Sequence, residues 1–148
     1  KGDVVICQSL SFAASVNPVL YEGATPVFVD SEKETYNLSP VYLEEAITSQ
    51  IKKGKKPKAI IAVHIYGMPY KVDEIHRISA KYESPIIEDA AEAMGSRYSN
   101  RACGSFGDLA LFSFNGNKII TTSAGGALVC QDDIQKNKAI FWSKTSKK

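Results

Sequence analysis

Long apolar runs are missing from this 148-residue chain. None approaches the ~20 residues that a bilayer-crossing helix needs, so no membrane function is expected. Cysteine is scarce: Cys7, Cys103 and Cys130 are far apart, odd in number and without a CxxC pair. That argues against a disulfide framework or a zinc site, and it suits a reducing cytoplasm. Nor is there an excess of one charge, because 18 Lys+Arg against 16 Asp+Glu leave +2, too near neutral to imply a nucleic-acid partner. Internal repeats and low-complexity tracts are absent too. What is there, 44% hydrophobic and 23% charged residues, is the composition of an ordinary globular domain. The length suits one domain that can bury a core.

Strand-like runs alternate with helical spacing along the chain. Residues 3–7 read as a buried-type strand, which sits inside a sheet with neighbours on both sides. Residues 11–22 carry Phe12, Val16, Val19 and Leu20 at roughly helical spacing and stop at Gly23, with Pro18 placed to kink or shorten the helix. Residues 25–29 form the second strand and 31–38 a polar loop. Ser39-Pro40 pairs a capping residue with a proline at the first helical position, opening a helix to about Ile51 with Leu43, Ala46 and Ile47 inward. The lysines between Lys52 and Lys58, broken by Gly54 and Pro57, read as a solvated connection past a helix end rather than as an anion patch.

Residues 59–63 are the most strand-like run, 64–69 a loop, and 72–82 a helix with Ile75 and Ile78 inward. Residues 85–87 form a strand with Glu88-Asp89 at its carboxyl end. Further on, 90–94 read as the start of a short helix and 96–107 as a polar loop. Strands at 109–112 and 126–130 flank a loop, Asp132 opens a last helix, and 142–148 form a basic tail with no packing pattern. This alternation predicts an α/β fold: a mostly parallel sheet with helices on both faces. Ligands of such sheets gather at the carboxyl ends of strands, which singles out residues 9–12, 64–67, 89–92 and 113–118. Because Lys1 leads almost directly into a buried-type strand, the chain is expected to be a piece of a longer protein.

Within those segments, Lys118 sits in a short Gly/Asn-containing loop just past an apolar strand. Desolvation near the sheet edge would free its amine for attack on a carbonyl. Asp89 follows an apolar run and precedes small alanines that let a flat ligand come close, although Asp at such a junction also caps helices. The pair says more than either member. Pyridoxal phosphate chemistry needs a lysine to hold the aldehyde as a Schiff base and an acid to keep the pyridine nitrogen protonated. Asp89 and Lys118 are separated by one polar loop and one strand, a spacing that brings two strand ends together in one sheet.

Six segments then occur in order: GATPVFVD at 23–30, HIYGMP at 64–69, IEDAA at 87–91, GSFGD at 104–108, Ser113-Phe114 with Asn117-Lys118, and GGALV at 125–129. In these the chain resembles the PLP-dependent nucleotide-sugar aminotransferases of the DegT/StrS group, with the aspartate aminotransferase type I fold. The resemblance runs from about Gly2 to Asp133. It implies that residues 1–148 are a truncated large domain that binds pyridoxal 5′-phosphate, with an N-terminal flank and a small C-terminal domain missing.

By the same resemblance, Lys118 carries the Schiff base and shuttles protons, Asp89 pairs with the pyridinium nitrogen, and Ser113 bonds the cofactor phosphate. Phe12 stacks on the pyridine face, or else is a plain core phenylalanine of the first helix. Glu92 stands where members have Gln or His near the ring hydroxyl; as an anion it would face a phenolate-like oxygen, which leaves its role open. The implied partners are a nucleotide-sugar substrate, an amino-acid donor (L-glutamate) and a second copy of the full-length chain. The implied reaction is amino transfer to a keto sugar nucleotide. A sugar dehydratase and a non-catalytic sugar-nucleotide-binding relative stay open beside it, and the lysine speaks against both. Of the other candidates, His64 at a strand end either touches substrate or is a hydrogen-bonded loop histidine. His76 is expected to be solvated on a polar helix face, and Cys103 has no obvious base to make it a nucleophile.

Overall fold

A computed structural model of the protein describes residues 1–145. In chain order it runs β1 (Val4–Gln8), a 3₁₀ turn (Ala13–Ser15), α1 (Asn17–Tyr21), β2 (Thr25–Val29), α2 (Pro40–Lys52) and β3 (Ala59–Val63). A second 3₁₀ turn (Ile65–Gly67) leads to α3 (Val72–Tyr82), β4 (Ile86–Asp89), β5 (Arg97–Tyr98) and β6 (Arg101–Ala102). The chain continues through β7 (Leu109–Ser113), β8 (Gly126–Cys130) and α4 (Asp133–Thr145). Six strands make one sheet in the order β2-β1-β3-β4-β7-β8, parallel throughout except for the antiparallel β7–β8 pair.

Side chains alternate across a strand, and that alternation builds two cores. Val4, Ile6, Ile60, Ala62 and Ile86 point to one face, where Leu43 and Ile47 of α2 and Val72, Ile75 and Ile78 of α3 cover them. The intervening Cys7, Ile61 and Val63 point to the other face and meet Val19 of α1. Helices therefore lie on both faces but unequally: α2 and α3 make a full layer, whereas α1 is a single short turn and no residue of α4 is buried. The thin layer leaves room on the second face. α2 starts as its sequence dictates, with Ser39 Oγ accepting the Tyr42 N–H at 3.4 Å and Pro40 in the first turn. α3 carries Asp73 and Glu74 in its first turn and Lys81 in its last, each sign where the helix dipole favours it.

Four expectations are corrected. The helix expected over 11–22 is instead a 3₁₀ turn followed by α1, because Pro18 belongs in a first turn and so starts a helix rather than kinking one. Residues 90–94 form successive turns, Ala93 N–H to Ala90 O and Ser96 N–H to Ala93 O, both 3.0 Å, with no helix. The polar loop contains the β5–β6 hairpin, whose Ser99 and Asn100 both adopt positive φ (46° and 64°), the backbone of a tight two-residue turn. Of the expected tail, 142–145 continue α4, and 146–148 lie outside the described residues. The lysines from 52 to 56 are exposed, and Lys56 pairs with Glu83 at 2.6 Å.

Candidate active site

The register aligns Val63 with Asp89 and Asp89 with Leu111, so these three side chains share the thinly covered face at the carboxyl ends of β3, β4 and β7. Ser113, two residues beyond Leu111, points the same way. An open cleft of ≈ 620 Å³ lies there, and Phe12, Asp89, Glu92, Ser113 and Lys118 all line it. The two side chains singled out as a pair from the sequence thus face one space.

Asp89 ends β4 and is 7% exposed. Its Oδ2 accepts the Ser15 hydroxyl at 2.6 Å, and its Oδ1 accepts the Ala91 N–H at 3.1 Å. Lys118 stands in the loop after β7, where its N–H bonds Asn115 O at 3.0 Å. Its side chain is only 15% exposed, and Nζ donates to Glu92 Oε1 at 3.2 Å. The other oxygen of Glu92 accepts the Tyr66 N–H at 3.0 Å. Tyr66 is held at φ 50°, ψ 27°, in the left-handed region, and Gly67 follows at φ 79° against the Glu92 carbonyl. Glu92 therefore ties the lysine loop to the 64–69 loop.

Ser113 Oγ accepts the Asn115 N–H at 3.3 Å. Phe12 precedes the first 3₁₀ turn and is 79% exposed, which removes the plain-core alternative for it. His64 borders the cleft, but its side chain is fully buried and pairs with Glu88, which is not a cleft residue. One step of strand alternation turns Glu88 away from Asp89 into the other core, where its carboxylate accepts from His64 Nε2 (2.8 Å) and from the N–H groups of Gly104 (2.8 Å), Phe106 (2.5 Å) and Gly107. Both side chains are fully buried. Burial alone would raise the Glu88 carboxyl, but the His64 bond and the two glycine N–H groups outweigh it and leave Glu88 below its ordinary value.

His76 is not solvated as expected. It is half-buried, its Nε2 lies 3.1 Å from Tyr70 Oη, and burial pushes its imidazole pKa down. The Cys103 thiol is likewise pushed up, to about 11, by burial and the nearby Glu88 charge. Ser15, Glu88 and the Tyr66 N–H were missed in the sequence. A strand period marks Glu88 as facing away from Asp89, whereas nothing local marks a serine that meets Asp89 across 74 positions.

The profile of the DegT/DnrJ/EryC1/StrS aminotransferase family matches residues 1–148. The chain belongs to that family. It is 52% identical over 141 residues to EpsN of Bacillus subtilis (strain 168), which is named as a pyridoxal phosphate-dependent aminotransferase; the match covers 95% of this chain and 36% of EpsN. GDP-perosamine synthase of Escherichia coli O157:H7 is 46% identical over 132 residues, covering 89% of this chain and 35% of the synthase. The chain thus spans about a third of the length of these curated relatives. Its fold matches a DegT DnrJ EryC1 StrS aminotransferase from Brucella abortus at TM-score 0.88 and 37% identity, over 92% of this chain and 37% of that one. The mostly parallel α/β sheet expected from the sequence is the family's fold.

Proposed function

We propose that the intact protein is a pyridoxal 5′-phosphate-dependent aminotransferase, and that residues 1–148 belong to its cofactor-binding large domain. It would move an amino group from an amino acid, L-glutamate, to the keto group of a nucleotide-linked sugar such as a 4-keto-6-deoxyhexose. The observation that carries this reading is the convergence of Asp89 and Lys118 on one cleft in a chain of this family. Support for the sugar comes from relatives named GDP-perosamine synthase, and from the similar fold (TM-score 0.85, 32% identity) of Helicobacter pylori PseC, described as involved in the biosynthesis of pseudoaminic acid.

The residues fit the cofactor. The cleft offers a nearly buried carboxylate, a shielded primary amine, a strand-end hydroxyl and an exposed aromatic ring, and its size lies in the range of ligand pockets. When bound, pyridoxal phosphate supplies an electron sink through its protonated ring nitrogen. Asp89 would hold that proton, its charge little screened by water. Lys118 Nζ would be the covalent anchor for the aldehyde and the general acid–base that moves a proton to and from the reacting carbons. Ser113 would donate its hydroxyl to the phosphate, and Phe12 would cover one ring face. Glu92 holds Nζ when the lysine is free.

A homodimer is part of the same proposal, supported by the exposed Leu10, Phe12 and Tyr66 at the cleft. A cytoplasmic setting is supported by three unpaired cysteines. The test is borohydride reduction of the intact protein with pyridoxal phosphate, followed by peptide mapping and an assay for 2-oxoglutarate release from glutamate with a keto sugar nucleotide. A pyridoxyl group on Lys118 together with glutamate-dependent turnover supports the proposal. An unmodified Lys118, or sugar turnover independent of glutamate, overturns it.

A further inference from the structure

We infer that Ser15 is a positioning residue for Asp89, the last link of a hydroxyl relay, Ser11 to Ser15 to Asp89, that holds the carboxylate in one orientation at the cleft. The inference rests on the assignment of Asp89 to the cofactor ring nitrogen.

Asp89 has lost most of its hydration, so its orientation depends on protein donors. Among the described residues it has two, one for each oxygen: the Ser15 hydroxyl at 2.6 Å on Oδ2 and the Ala91 N–H at 3.1 Å on Oδ1. Rotation of the carboxylate about its Cβ–Cγ bond would break both, and an ionised carboxylate still has lone pairs to offer a ligand. The 2.6 Å separation lies in the range of a charge-assisted O–H···O⁻ bond, the stronger kind.

Proton counting sets the direction of the relay. An ionised carboxylate only accepts, so the single Ser15 proton is committed to Asp89. Ser15 Oγ also lies 2.6 Å from Ser11 Oγ and can then only accept there, which makes Ser11 the donor, its proton drawn to the short contact rather than to Phe12 O at 3.4 Å. Each hydroxyl polarises the next and strengthens it. Ser15 is 8% exposed, so bulk water is a poor substitute for either bond. Backbone geometry ties this relay to the cleft wall: Ser15 N–H closes the 3₁₀ turn on Phe12 O at 3.0 Å, so one turn presents both the Phe12 ring and the Ser15 hydroxyl.

The experiment is a pyridoxal phosphate titration of the intact protein followed by absorbance, repeated across pH, with thermal denaturation of the cofactor-free protein as a check on folding. Ser15→Ala is expected to weaken binding about tenfold, the low end for a hydrogen bond to a charged group. It should also shift the pH dependence of the bound cofactor's visible absorbance, because a loosened Asp89 holds the ring-nitrogen proton less firmly. Ser11→Ala should weaken binding by about threefold, because Ser15 keeps its own bond while losing polarisation. Ser15→Thr keeps the hydroxyl and should restore both readouts. A Ser15→Ala variant with unaltered affinity and pH profile overturns the inference, as does a Ser15→Thr variant as weak as Ser15→Ala. Asp89→Asn separates the two levels. If it too binds unchanged, the assignment of Asp89 has failed; if it binds weakly while Ser15→Ala is silent, only the relay has.

Discussion

Replacing Glu88 by Gln should destabilise the protein by about 3–5 kcal/mol, the size expected when a buried hydrogen-bonded carboxylate is lost and two donors are left without an acceptor. The magnitude follows from the donors that converge on Glu88. His64 Nε2 and the N–H groups of Gly104, Phe106 and Gly107 all point at its two oxygens, and the carboxylate and imidazole are fully buried. Gln keeps one oxygen and puts an NH₂ where the other was, so two donors face a donor. At about 1–3 kcal/mol for each unsatisfied buried group, two such losses reach the same range. Against a total stability of roughly 5–15 kcal/mol, that is a large fraction.

Urea denaturation reads the loss, and amide hydrogen exchange at Gly104 and Gly107 locates it. The pH dependence supplies a second check. Glu88 lies below its ordinary value of 4.5 in the folded protein, so its contribution is fully present above that pH and is lost as pH falls through the lower folded value. The variant should lack this acid-dependent component. A change under about 1 kcal/mol, with Gly104 and Gly107 still protected, would refute the account of Glu88 as the acceptor that pins the 104–107 loop to β4.

Asp89→Asn, one residue away, should cost less stability than Glu88→Gln, about 1–3 kcal/mol in urea denaturation, because only the Ser15 and Ala91 bonds are touched. It should nevertheless weaken cofactor binding and abolish turnover, measured by absorbance titration and amino-acceptor assay. Gly67→Ala should cost about 1–2 kcal/mol in thermal denaturation. Gly67 has φ 79° and an added Cβ would lie 2.8 Å from the Glu92 carbonyl oxygen, so the bond from Tyr66 to Glu92 should also loosen and cofactor affinity fall. Thiol labelling at pH 8 should modify Cys130 first, because burial pushes Cys7 and Cys103 up to about 11 whereas Cys130 is partly accessible. Rapid labelling of Cys7 in the folded protein would contradict that order.

Elements with a local signal were legible. α2 carried its cap, its first-turn proline and its apolar spacing within thirteen residues, and β3 its unbroken apolar run. The β5–β6 hairpin was not, because its two left-handed turn residues are Ser99 and Asn100, without the glycine that usually advertises such a turn. α1 was overextended because its apolar spacing continues through residues that the chain uses for a 3₁₀ turn and a proline start. Phe12 kept a plain-core alternative beside its cleft role, since apolar spacing does not say whether a helix layer is thick enough to cover a ring.

Within the segments of the cleft, Phe12, Glu92 and Ser113 were singled out by the family resemblance. The segments themselves were legible because each lies at a strand end, and a parallel sheet gathers strand ends at one edge. That much depends on periodicity and chain order, which are local properties. Which of two adjacent carboxylates faces the cleft depended on sheet register, and which hydroxyl steadies it depended on a turn 74 positions away. Those are contacts between segments distant in the chain, and only closure of the sheet brings them within hydrogen-bonding reach.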